Sequence, residues 1–125
     1  MTQSPPTIPP LLRSVPAAAF DVPLDDWGPR VGADAGEPMM SGAIWYEAPD
    51  GSVQVGIWAC TPGGWSITDR PDTETVRILA GRARLTDAGG TAVELTAGDV
   101  LVLPKGWSGR WDILEPVRKL FVTAR

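Results

Sequence analysis

Glycine and proline interrupt this chain so often that no long helix fits between them. Its 125 residues include 14 glycines and 13 prolines, and inside a helix each costs about 1 kcal/mol (Gly) or about 3 kcal/mol (Pro) relative to Ala. Beyond Met40 the interruptions become regular: Pro49-Asp50-Gly51, Pro62-Gly63-Gly64, Asp69-Arg70-Pro71-Asp72, Gly81, Asp87-Ala88-Gly89-Gly90, Ala97-Gly98 and Pro104-Lys105-Gly106. Short apolar or alternating runs fill the gaps. They predict strands over Gly42–Ala48, Val53–Thr61, Gly64–Thr68, Thr75–Ala80, Arg82–Thr86, Ala92–Leu95, Asp99–Leu103, Gly109–Leu114 and Val117–Thr123. Short strands of this kind, with no helical pattern, predict an all-β antiparallel sandwich or barrel.

The chain is long enough for one domain with one core. Residues 41–125 are expected to form the barrel, and residues 1–40 to precede it as a proline-rich arm and an irregular lead-in. Leu11, Leu12, Val15 and Phe20 on the arm have no apolar partner of their own, whereas Leu24, Trp27 and Val31 are expected to anchor the lead-in. A small barrel covers its surface poorly and leaves strand edges, so a homodimer is expected.

Composition removes whole classes of chemistry. A net charge of −4 gives no electrostatic footprint for nucleic acid or an anionic membrane. With no histidine there is no Ser-His-Asp or Cys-His machinery and no imidazole metal site. A single cysteine, Cys60, excludes an internal disulfide and a thiolate-rich zinc site, and without a histidine to activate it the thiol reads as a small buried apolar group. No apolar run is long enough to span a bilayer, and the N-terminal stretch, broken by prolines and lacking a basic region, does not read as a signal peptide. The expected location is the cytoplasm.

Two stretches are more specific. ETVRILAG at 74–81, followed by RARLTDAGG, carries Glu, six residues, then Gly, and GDVLVLPKGWSG at 98–109 carries Gly, five residues, then Pro-x-Gly. Together they resemble the two motifs of the cupin superfamily, over roughly Gly42 to Thr123. GIWACTPGGW and PKGWSGRWDILEPVRK are most similar to small single-domain cupins related to ureidoglycine aminohydrolase. The resemblance implies a single jelly-roll barrel. It also implies where the metal ligands of the family would fall: Ile67, Asp69 and Gly109 occupy the histidine positions, and only Glu74 of the usual three-His-one-Glu set is present. No cofactor and no transition metal are therefore expected. Asp69, Asp72 and Glu74 are close enough in sequence to suit a hard cation, but the same segment also reads as an ordinary charged turn with Arg70 as partner.

On that implied barrel, residues two apart share a face. The expected pocket comprises Trp65, Ile67, Asp69, Glu74, Val76, Gly109 and Trp111, with Gly109 leaving space and two carboxylates at the mouth. Aromatic walls beside carboxylates predict a cationic or amine-bearing ligand. Trp27, Trp45, Trp58 and Trp107 read as core filling, Arg77, Arg82 and Arg84 as outward strand residues, and Arg118-Lys119 with Glu115 as a surface pair. A metal-free small-molecule binding domain is the leading expectation. The alternatives are an aminohydrolase-like or isomerase-like enzyme using Glu74 and Asp69, or a structural dimerisation module.

Overall fold

A computed structural model of the chain describes residues 22–125. The expected arm at residues 1–20 lies outside the described residues. Among those described there is no helix, hence none long and apolar enough to cross a membrane. Nine antiparallel strands form one curled sheet: β1 (Asp25–Pro29), β2 (Ala33–Gly36), β3 (Met39–Glu47), β4 (Val53–Cys60), β5 (Gly63–Ile67), β6 (Thr73–Asp87), β7 (Ala92–Thr96), β8 (Val100–Leu103) and β9 (Gly109–Ala124). The path runs β1-β3-β4-β9-β5-β2, and β6 pairs with β9, β7 and β8. This is the all-β antiparallel architecture expected from the turn spacing, in the jelly-roll form that the cupin resemblance implies.

Two differences from the expected strands have physical causes. The lead-in is not irregular, because β1 pairs with β3 and β2 pairs with β5. Trp27 is its anchor: the tip of the indole ring lies where a Cβ on Gly42 would stand, 2.2 Å away, so only glycine at 42 admits it. Leu24 packs on a small outer cluster with Ile57, Leu79, Trp45 and Leu120, whereas the expected anchor Val31 is 80% exposed. The second difference is that two expected breaks lie within continuous strands. Gly81 adopts φ +87° and sits at a register shift in β6, where a Cβ would meet the Pro116 carbonyl at 2.0 Å. Glycine tolerates that φ and that approach, so the residue makes a bulge rather than a turn. Pro116, which has no N–H to donate, lies opposite in β9. The bend lets β6 and β9 pair along most of their length, with β8 and then β7 following the other edge of β6.

The inward residues Val76, Ile78, Ala83, Leu95, Trp111 and Val117 form the main core. Arg77 and Arg84 alternate outward, as expected. The core closes the centre of the curled sheet and leaves one end hollow.

Candidate functional site

The hollow end is a cavity of about 270 Å³. Its back wall follows from strand register: Trp65 of β5 pairs directly with Trp111 of β9, and both rings are buried. Trp58 of β4 meets Trp65 edge-on, with centroids 6.0 Å apart and planes at 71°. Phe121 continues the apolar wall, and Gln54 and Thr123 add neutral polar groups.

An ion pair lies against these rings. Lys119 of β9 is buried between Val117 and Phe121, two residues away on either side and facing the same way. Its Nζ donates to both oxygens of Glu74 at 3.3 Å, and both side chains are 8% exposed. The ammonium also stands over two aromatic faces, 4.4 Å from the Trp58 centroid and 4.9 Å from that of Trp111. Desolvation pushes the Lys119 pKa down, the Glu74 carboxylate pulls it back up, and Arg70 lowers it further. Burying a charge is costly unless it is paired, and Glu74 supplies the partner.

Two arginines complete the rim. Arg70 donates to the Asp72 carboxylate at 2.7 Å and lies 3.6 Å from Glu74. Arg30 is carried in from the β1–β2 connection, its guanidinium 5.1 Å from the Trp65 centroid, and its side chain donates to the Val31 carbonyl. Among the described residues it has no carboxylate partner.

Of the expected pocket residues, Trp65, Ile67, Glu74 and Trp111 line this cavity. Val76 shares their inward face but is sealed in the core. Asp69 is not brought in. It adopts φ +51°, which breaks the strand alternation, and it is exposed, with its N–H bonded to Ser108 Oγ at 2.9 Å. Gly109 opens no space, since a Cβ there would strike the Thr86 carbonyl at 2.3 Å and the Trp107 ring at 2.4 Å. Lys119, expected at the surface beside Arg118, is the most important residue missed, and its spacing from Val117 and Phe121 was the available signal. Arg118 does face outward, bonding the Val22 carbonyl at 3.0 Å. Trp58 and Trp27 line the cavity rather than only filling core. Cys60 is buried in the core, and burial pushes its thiol pKa up to about 11. A thiol in that state is a poor nucleophile.

The donor set does not fit the transition metal of three-histidine cupins. Ile67 and Gly109 offer no side-chain ligand atom, Asp69 lies outside the cavity, and both oxygens of Glu74 are engaged by an ammonium. Nor do Asp69, Asp72 and Glu74 converge on a cation, because Arg70 sits between the last two. Among the described residues, no three His, Cys, Asp or Glu side chains cluster in a way that could hold a metal.

With this geometry in view, the chain matches the family of EutQ-like cupin domains over residues 47–121. The protein belongs to that cupin family. Solved structures agree on the fold. A DUF861-family protein of unknown function from Pseudomonas syringae pv. tomato has a TM-score of 0.76 at 20% identity, covering 83% of this cupin and 45% of that chain. This cupin therefore spans less than half of that relative. The putative ethanolamine utilization protein Q from Salmonella typhimurium superposes with a TM-score of 0.63 at 24% identity, covering 78% of this chain and 76% of its own. The EutQ protein of Clostridium difficile gives 0.59 at 16% identity, with coverage of 70% and 68%. No curated protein matches this chain.

Proposed function

We propose that this cupin is a small-molecule binding domain that works without a metal, with the tryptophan-lined cavity as its site. The observation that carries the reading is the Glu74–Lys119 pair, held out of water on the wall of a tryptophan-lined hollow. Apolar walls with a few convergent polar groups are the usual composition of a ligand site. A buried pair is costly to maintain and seldom a net gain for stability, so its retention in a hollow points to use. Four tryptophans on the lining supply the readout, because occupancy alters their fluorescence. Titration of the full chain with a panel of small organic acids, amides and amines, together with thermal shift, tests the reading. A panel that produces neither a fluorescence change nor stabilisation overturns it.

An acid–base enzyme is the second reading, supported by a titratable Lys beside a buried carboxylate. It draws on Glu74 and Lys119, since Asp69 lies outside the cavity. Turnover in the presence of a bound panel member, abolished by Glu74→Gln with binding retained, would favour it over the binding domain. Association as a homodimer is proposed through β8, whose Val100 and Val102 are 63% and 56% exposed on an apolar edge strand. A sedimentation mass near the 13.3 kDa of one chain would reject it.

A further inference from the structure

We infer that the ligand of this cavity is a small planar organic carboxylate, not the amine that aromatic walls beside a carboxylate suggest. The inference rests on the binding reading above and adds the charge and shape of what binds. The lining carries three cations, Arg30, Arg70 and Lys119, against one carboxylate, Glu74. Lys119 is neutralised by Glu74, and Arg70 is held by Asp72 and Glu74. Arg30 is the lining cation that no carboxylate among the described residues offsets.

The aromatic faces are also spoken for. Lys119 occupies those of Trp58 and Trp111, and Arg30 stands over Trp65. An incoming ammonium would find its cation–π positions filled and would meet like charge. A carboxylate instead meets a guanidinium fork, the geometry that binds it by two parallel hydrogen bonds. Its body then rests on the apolar lining that Ile67 and Phe121 provide. Size narrows the class further. A dry cavity of about 150 Å³ accepts benzene, so the 270 Å³ here suits one ring bearing a carboxylate. A single excess positive charge suits a monoanion.

Three probes of nearly equal shape separate charge from fit: benzoate, benzamide and benzylammonium, each titrated into the full chain by calorimetry and tryptophan fluorescence at low salt. Benzoate is expected to bind at least about tenfold more tightly than benzamide, with benzylammonium weakest. Arg30→Gln should weaken benzoate by about ten- to a hundredfold, the range of a charge-assisted hydrogen bond, and benzamide by clearly less. Should that variant fold poorly, raising salt from about 0.05 to about 0.5 M on the unaltered protein asks the same question, since screening should weaken benzoate alone. Benzylammonium or benzamide binding as tightly as benzoate overturns the carboxylate while leaving the binding site intact. Benzoate that ignores both Arg30→Gln and salt also overturns it. Silence from all three probes overturns the carboxylate and the binding reading together.

Discussion

Strands β6 and β9 carry two ionic clusters, and the two could hardly differ more in setting. Near one end of the strands Glu74 and Lys119 are 8% exposed and pressed against tryptophan rings. Along their other half Arg82, Arg84 and Glu115, joined by Glu94 of β7, make comparable contacts of 3.0 to 3.7 Å with side chains 43% to 61% exposed. Glutamates paired with basic residues along the same two long strands thus yield one cluster in water and one out of it. Charge pairing on its own says little about function. Only the buried cluster had to be stabilised against desolvation, and it is the one that borders a cavity.

Lys119→Ala should be the most damaging change, because it strands a buried carboxylate. A loss of about 3–5 kcal/mol is expected, eased somewhat by Arg70 at 3.6 Å, and denaturant titration would measure it. Replacing both partners together, Glu74→Leu with Lys119→Met, should recover most of that stability while abolishing ligand response. If Lys119→Ala cost less than about 1 kcal/mol, the buried pair would be energetically equivalent to the exposed one and the comparison would fail.

The junction between the two halves is the next test. Gly81 and Gly90 share nearly the same φ, +87° and +89°, but a Cβ at Gly90 meets open space and one at Gly81 meets the Pro116 carbonyl. Gly90→Ala should therefore cost about 1 kcal/mol, the conformational term alone. Gly81→Ala should cost about 2–3 kcal/mol, because the two strands must also move apart. Equal costs would mean that the bulge is slack and does not set how β6 hands over from β8 to β7.

Alkaline pH probes the buried side alone, where two neighbouring groups act with opposite signs. The Cys60 thiol keeps its proton to about pH 11 in the folded chain against an ordinary 9.0. Between those values the unfolded chain ionises first, so the stability this group contributes falls as pH rises. Lys119 is pushed below its ordinary 10.5 by burial, so the folded chain loses that proton first and stability rises with pH up to that ordinary value. Cys60→Ala should remove the falling component, of order 1–2 kcal/mol, and Lys119→Met the rising one. Identical profiles for the two variants and the unaltered protein between pH 8.5 and about 11 would contradict this account.

Much of this was legible in the residues, and each miss has a local cause. Two-residue alternation correctly puts Glu74, Trp65 and Trp111 inside, because regular strand backbone obeys it. Asp69 escapes the rule through its left-handed φ. Lys119 obeys the rule too, but a lysine beside an arginine suggests a surface. Gly81 reads as a turn because a bulge and a turn demand the same residue, and only the strand opposite tells them apart. Trp27 and Arg30 sit on segments whose pairing partners are distant in sequence, with β1 joined to β3 and β2 to β5. No local pattern reveals such pairings, so the rim of the cavity was invisible until the sheet closed.

The smallest expected effect belongs to the exposed cluster and completes the contrast. Arg84→Ala removes a 3.0 Å contact to Glu94, shorter than the 3.3 Å of the buried pair. If distance set the energy, this would be the costlier change. Water and mobile ions surround the exposed side chains, however, and such pairs contribute only about 0.2–1 kcal/mol. The Debye length shrinks to about 3 Å at about 1 M salt, so in that buffer Arg84→Ala should be nearly indistinguishable from the unaltered protein in denaturant titrations. Lys119→Ala should keep most of its cost there, because a pair only 8% exposed is screened far less than one in water. A salt-resistant penalty for Arg84→Ala above about 1 kcal/mol would place the outer ladder among the elements that hold β6 to β7, and burial would no longer be what separates the two clusters.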